Sequence, residues 1–299
     1  MKQRIQALAE TRVVKAFRGV ASGYGDRQTG DKAASLTYFA ILAVFPGLIV
    51  IAGLLGLLGN QGTIDGLLRI IKQLAPGSAS GTFEGPAKNL VEGGGAGFAV
   101  VIGIAVALYS ASGYVGAFIR ASNSIYEVEE TRGIKEMLPR QVLLTFFLLA
   151  ALSIALLALL LTGPLARAIF DEIGVGDTAL TIWSVLKWPV LFVIVSSLFA
   201  VLLHRGPNVP NLRFRELLPG AFLATSVWIL ASAGFAAYVA NFGKYASTYG
   251  SLAGVVVFLL WIWISNIALL IGTAFNVELR KSAPVVVRKF RQNPVASTD

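Results

Sequence analysis

Few side chains in this sequence could make or break a bond. There is one histidine, His204, and no cysteine, which excludes disulfides, thiolate-held metals and a His-rich metal site. The densest carboxylates, Glu127, Glu129 and Glu130, stand in a loop beside Arg132 and Lys135. Metal-dependent hydrolysis needs clustered His or carboxylate ligands to activate water, so no enzyme, cofactor, metal or nucleic-acid partner is expected. The remaining polar residues suit binding. Lys32, Arg120, Asn123, Asn276 and Glu278 sit at the ends of apolar runs, while Tyr38, Tyr109, Ser112, Trp261, Ser265 and Asn266 sit within them. In hydrocarbon such groups must find partners or line a wet cavity.

The elements that carry them are membrane spans. The chain of 299 residues is 56% hydrophobic and 14% charged, with mean hydropathy +0.72. A soluble domain is about one quarter charged, so this inventory cannot cover a water-exposed surface. Between Lys244 and Glu278 runs an uncharged stretch of 33 residues; at about 1.5 Å per residue it crosses a core of about 30 Å with room to tilt. Six spans are expected, at about 33–59, 97–119, 142–163, 182–203, 217–241 and 249–275. The fold class is therefore all-α, a single polytopic bundle with amphipathic surface helices. Residues 1–32 form an N-terminal amphipathic segment, with Val13, Val14, Phe17, Val20 and Ala21 at helical spacing, lying on the membrane surface or against the bundle. The first apolar run begins at Ala33, after seven Lys/Arg, which is unlike a cleavable signal peptide. Segment 60–92 has an apolar face, Ile64, Leu67, Leu68, Ile71 and Leu74, and predicts an external amphipathic helix. Residues 282–299 form a basic tail.

Orientation follows from the basic residues. Nineteen Lys/Arg fall on the side of both termini and five on the other, which places the termini in the cytoplasm. The formal charge of +9 is then a topology signal. Pro46 is expected to kink the first span, and Ala99, Gly103, Ala107 and Ala111 form a ridge for close helix approach in the second. Trp261, Ser265, Ala268 and Gly272 share one face of the last.

Three stretches, ASLTYFAILAVFPGL (34–48), LFAVLLHRGPNVPNLRFRELLPGAFLA (198–224) and YGSLAGVVVFLLWIWISNIALLIGTAFNVEL (249–279), resemble the YihY/BrkB family of bacterial inner-membrane proteins, once mislabelled ribonuclease BN. The shared positions are Tyr38, Pro46, Asn123, Tyr126, Pro207-Asn208, Pro219-Gly220, Tyr238, Tyr249-Gly250-Ser251, Trp261, Gly272 and Asn276. One position departs: the family's Glu two residues after Gly272 is Ala274 here, leaving Glu278 one turn later as the nearest carboxylate. The resemblance implies a multi-pass protein of the bacterial inner membrane. It also implies a link to lipid or lipopolysaccharide export and to virulence.

The expected function is a transporter or flippase-like protein for an amphiphilic, anionic envelope component. Lys32 and Arg120 would attract the anion in a cytoplasm-facing vestibule completed by Asn123 and Asn276, with Glu278 as gate or proton carrier; the same residues could instead pin helix ends by pairing. Charge reversal at Arg120 is expected to cripple export without abolishing insertion. The alternative is a non-transporting scaffold of an envelope complex. Membrane lipids, an anionic or lipid-linked substrate and a second copy of the chain are the expected partners.

Overall fold

A computed structural model describes residues 2–57, 96–160, 177–240 and 252–282. The expected external helix at 60–92, the turn at 242–248 with Tyr249-Gly250-Ser251, and the tail from 283 lie outside them. The described residues are helices and short connections, without a strand. In chain order the helices are α1 (Lys2–Ser22), α2 (Thr29–Leu57), α3 (Ala96–Tyr126), α4 (Ile134–Leu160), α5 (Asp177–Arg205), α6 (Phe214–Ala240) and α7 (Leu252–Lys281).

Each helix from α2 onward is rich in apolar residues and flanked by turn chemistry. Glu127 ends α3 in the left-handed region, φ 57°, and the Val128 N–H turns back to Asn123 O at 3.0 Å, as a helix C-terminus demands. Gln28, φ 50°, marks the joint between α1 and α2, and Asn211, φ 56°, the connection between α5 and α6. Helix α2 runs through position 46 as continuous helix. Pro139 and Pro219 lie in the second turn of their helices, where few hydrogen bonds are lost; Pro189 lies in the body of α5. Helix α4 begins eight residues ahead of the third expected span, because Gly133 O accepts the Glu136 and Met137 N–H groups at 2.9 Å.

Among the described residues, three helical stretches, Thr181–Arg205, Phe214–Val239 and Gly254–Lys281, are long and apolar enough to cross a membrane. Burial runs opposite to that of a soluble protein. Leu143, Phe146, Val185, Trp188, Val193 and Leu230 are exposed, and so large an apolar outer surface needs lipid around it. The core lies at the charged end of the bundle, where Leu36, Phe118, Ile125, Leu203, Leu217 and Leu270 pack from five helices. Helix α2 packs on α3, α6 on both α5 and α7, and α1 against α7. Of the two places expected for the N-terminal helix, α1 takes the one against the bundle: Ala16 is fully buried, and the Phe17 and Phe275 rings stand 4.9 Å apart.

Candidate functional site

Asn266, Trp261, Ser265 and Ser112 take part in interhelical bonds. Asn266 of α7 is buried, donates to Thr37 Oγ1 at 3.1 Å and accepts from the Tyr114 hydroxyl at 2.9 Å, tying α2, α3 and α7 at one point. Trp261 and Ser265 face α6. Trp228 Nε1 donates to Ser265 Oγ at 2.9 Å, and Trp261 Nε1 to Ser232 Oγ at 3.2 Å. Ser112 donates to Tyr109 O at 2.7 Å, while its carbonyl accepts from Gln141 of α4. Tyr38 and Tyr109 are exposed.

The residues at the helix ends divide among separate clusters. Glu278 pairs with Arg27, and Lys281 lies 3.9 Å from it on the other side. Its carboxylate occupies a notch at Gly19, where a Cβ would stand 2.7 Å from Glu278 Cδ; α1 is thus clamped to α7. Lys32 donates to Arg27 O. Asn276 accepts from Gly220 N at 2.9 Å and donates to Leu217 O at 3.1 Å. Beside it Gly272 and Gly220 touch backbone to backbone. Asn123 donates to Glu130 at 2.8 Å and accepts from Asn208 N at 2.7 Å, while Arg132 grips Glu130 with two bonds of 2.6 Å and reaches Gly206 O at 3.0 Å. That network knits the α3–α4 connection to the α5–α6 connection. The Arg132 hydrogen bond, aided by Asn123, holds the Glu130 carboxyl at about 2 against the opposing effect of burial. Arg120 stands apart, exposed and 5.7 Å above the Phe39 ring.

Behind that network opens a cleft of about 1130 Å³, large enough for an amphiphile's head and upper chain. Two helical stripes form its walls. Arg140, Leu143, Leu144 and Phe147 line it from α4, and Val201, His204 and Arg205 from α5; the loop from Pro207 to Leu212 closes one end. At these spacings each stripe keeps one face, cationic at the connection end and apolar along the helices. Arg132, Arg140 and Arg205 face a single carboxylate on the lining, Glu129. Arg140 and Arg205 have no ion-pair or hydrogen-bond partner among the described residues, and the His204 Nδ1 is buried without one. Such a cleft can hold an anionic head and an apolar chain together. No group of three His, Cys, Asp or Glu that could hold a metal occurs among the described residues.

Sequence reasoning counted Arg140 and Arg205 only as topology charges. The available signal was Arg140 three, four and seven residues ahead of Leu143, Leu144 and Phe147, and Arg205 four behind Val201. Arg27, Thr37, Tyr114, Gln141 and Trp228 were also missed, because a hydrogen-bond partner is a property of two helices.

Helices of this length, with their apolar faces outward and polar groups paired inward, define a helical membrane protein. The family model described as Virulence factor BrkB matches residues 20–295, and the chain belongs to that family. It is 32% identical over 260 residues to YfkH of Bacillus subtilis, named as ribonuclease-like, covering 87% of this chain and 93% of the relative. A UPF0761 membrane protein of Methylibium petroleiphilum is 26% identical, over 96% of this chain and 68% of its own. One from Xanthomonas axonopodis pv. citri is 28% identical, over 91% and 62%. No solved structure matches.

Proposed function

We propose that the protein is a six-span, flippase-like transporter of the bacterial inner membrane, with both termini cytoplasmic, for an amphiphilic anionic envelope component. One observation carries the proposal: the cleft between α4 and α5 sets unpaired Arg140 and Arg205 at the mouth of a groove walled by Leu143, Phe147 and Val201. Cations near the interface draw in a phosphate or carboxylate head, and the groove keeps the chain out of water as the head moves. We place the anion at this neighbouring cleft rather than at the expected vestibule of Lys32, Arg120, Asn123, Asn276 and Glu278, since Lys32 and Glu278 bond to Arg27, Asn123 to Glu130 and Asn276 to Gly220.

The test is flux. In proteoliposomes carrying a fluorescent anionic phospholipid, Arg140→Gln/Arg205→Gln should lower transbilayer movement about tenfold or more while insertion and folding persist. Arg120→Glu should lower it far less. Wild-type flux in the double variant, or strong loss confined to Arg120→Glu, counts against the cleft. No flux in any variant, with a stable co-purifying partner, favours the scaffold.

A further inference from the structure

On the other side of the α5–α6 connection lies a second, smaller cavity of about 430 Å³, between α1, the start of α6 and the end of α7. Leu212 belongs to both linings, but the polar residues differ. Arg12, Tyr126 and Arg280 line the smaller cavity, and each has a buried polar atom with no partner among the described residues: Arg12 Nε, the Tyr126 hydroxyl and one terminal nitrogen of Arg280. The two arginine nitrogens only donate, and the tyrosine hydroxyl donates most readily. Three buried donors left unmatched at one place ask for an acceptor. Glu216 is the single carboxylate on the lining, so two arginines against one glutamate leave one net positive charge. Burial pushes the Tyr126 phenol up to about 12, Glu216 adding to the rise and Arg280 opposing it, so the hydroxyl keeps its proton. The remaining wall, with Val13, Leu217, Pro219 and Phe275, is apolar.

We infer that this cavity is an anion site for a phosphate-bearing group, received by Arg12, Tyr126 and Arg280, whose occupancy fastens α1 to the α6–α7 pair. Arg12 already reaches the Leu279 carbonyl at 3.5 Å, so a phosphate between Arg12 and Arg280 would complete a bridge that otherwise rests on Arg27 and Glu278. The group can be the head of an anionic lipid or a free phosphate.

The test uses the full chain in a neutral maltoside detergent, with the cleft silenced by Arg140→Gln/Arg205→Gln. Inorganic phosphate and dihexanoyl phosphatidylglycerol serve as probes, followed by calorimetry and by the unfolding midpoint from tryptophan fluorescence. At least one probe should bind and raise the midpoint. Adding Tyr126→Phe should weaken that binding about tenfold, and Arg280→Gln more, with the unliganded midpoint of Tyr126→Phe unchanged. Binding of the lipid alone assigns the source to the bilayer, and equal binding of phosphate assigns it to solution; both support the site. No binding of either probe, or binding unchanged in Tyr126→Phe and Arg280→Gln, overturns it. Since the cleft arginines are absent throughout, neither outcome bears on the transport proposal.

Discussion

Asn266 shows how one polar residue organises three helices. Its amide donates to Thr37 and accepts from Tyr114, and in hydrocarbon each such bond is worth about 1 kcal/mol. Asn266→Leu should therefore lose about 1–2 kcal/mol in detergent unfolding, and Tyr114→Phe about half as much; equal stability of all three proteins would refute the junction. Glu130 makes a pH prediction. Its folded value is depressed from 4.5 to about 2, first by the Arg132 hydrogen bond, so the unfolded carboxyl takes up its proton first as pH falls. The stabilisation is whole above about 4.5 and is lost between there and about 2. Glu130→Gln should flatten the acid limb of the stability profile in that window, and an unchanged limb would contradict the assignment. Asn266 stood out in the sequence as a buried amide, but its partners did not. Thr37 and Tyr114 are ordinary residues in apolar runs until the helices meet.

The close crossing of α6 and α7 depends on two glycines. A Cβ at Gly272 would stand 2.7 Å from Ala224 Cβ and press on the Gly220 backbone. Gly272→Ala should cost about 1–3 kcal/mol by overpacking, whereas Gly254→Ala, with nothing within 4 Å of the new carbon, should be nearly neutral. A neutral Gly272→Ala would mean the helices separate freely. Helix α1 is held to α7 by Glu278, seated at Gly19 and paired with Arg27 just beyond the helix end, besides the Phe17–Phe275 contact. Glu278→Ala should speed amide exchange in α1 about tenfold or more, with α6 and α7 unaffected, since the clamp acts on α1 alone. The helices were largely legible because hydropathy and the spacing of Trp261, Ser265 and Gly272 are local signals. The start of α4 at Ile134 was missed because charged Lys135, Glu136 and Arg140 interrupt the apolar pattern without stopping the helix.

At the scale of the whole molecule, the charged end is the organised end. Its apolar core, the Asn123–Glu130–Arg132–Asn208 network and the α1 clamp all lie there, while the outer faces of α4, α5 and α6 carry exposed apolar side chains. The sequence placed charge at this end through the basic-residue count, but the grouping of the charges is decided by helix rotation. Glu278 therefore meets Arg27 rather than Arg120, and Arg140 meets Arg205 across a cleft. The cleft is the central claim, and photo-crosslinking tests it most directly. An anionic phospholipid with a diazirine in its upper chain should label Leu143, Phe147 and Val201, and Arg140→Gln/Arg205→Gln should remove most of that label. Labelling spread evenly over Val185, Val193 and Leu230, and indifferent to the arginines, would contradict it.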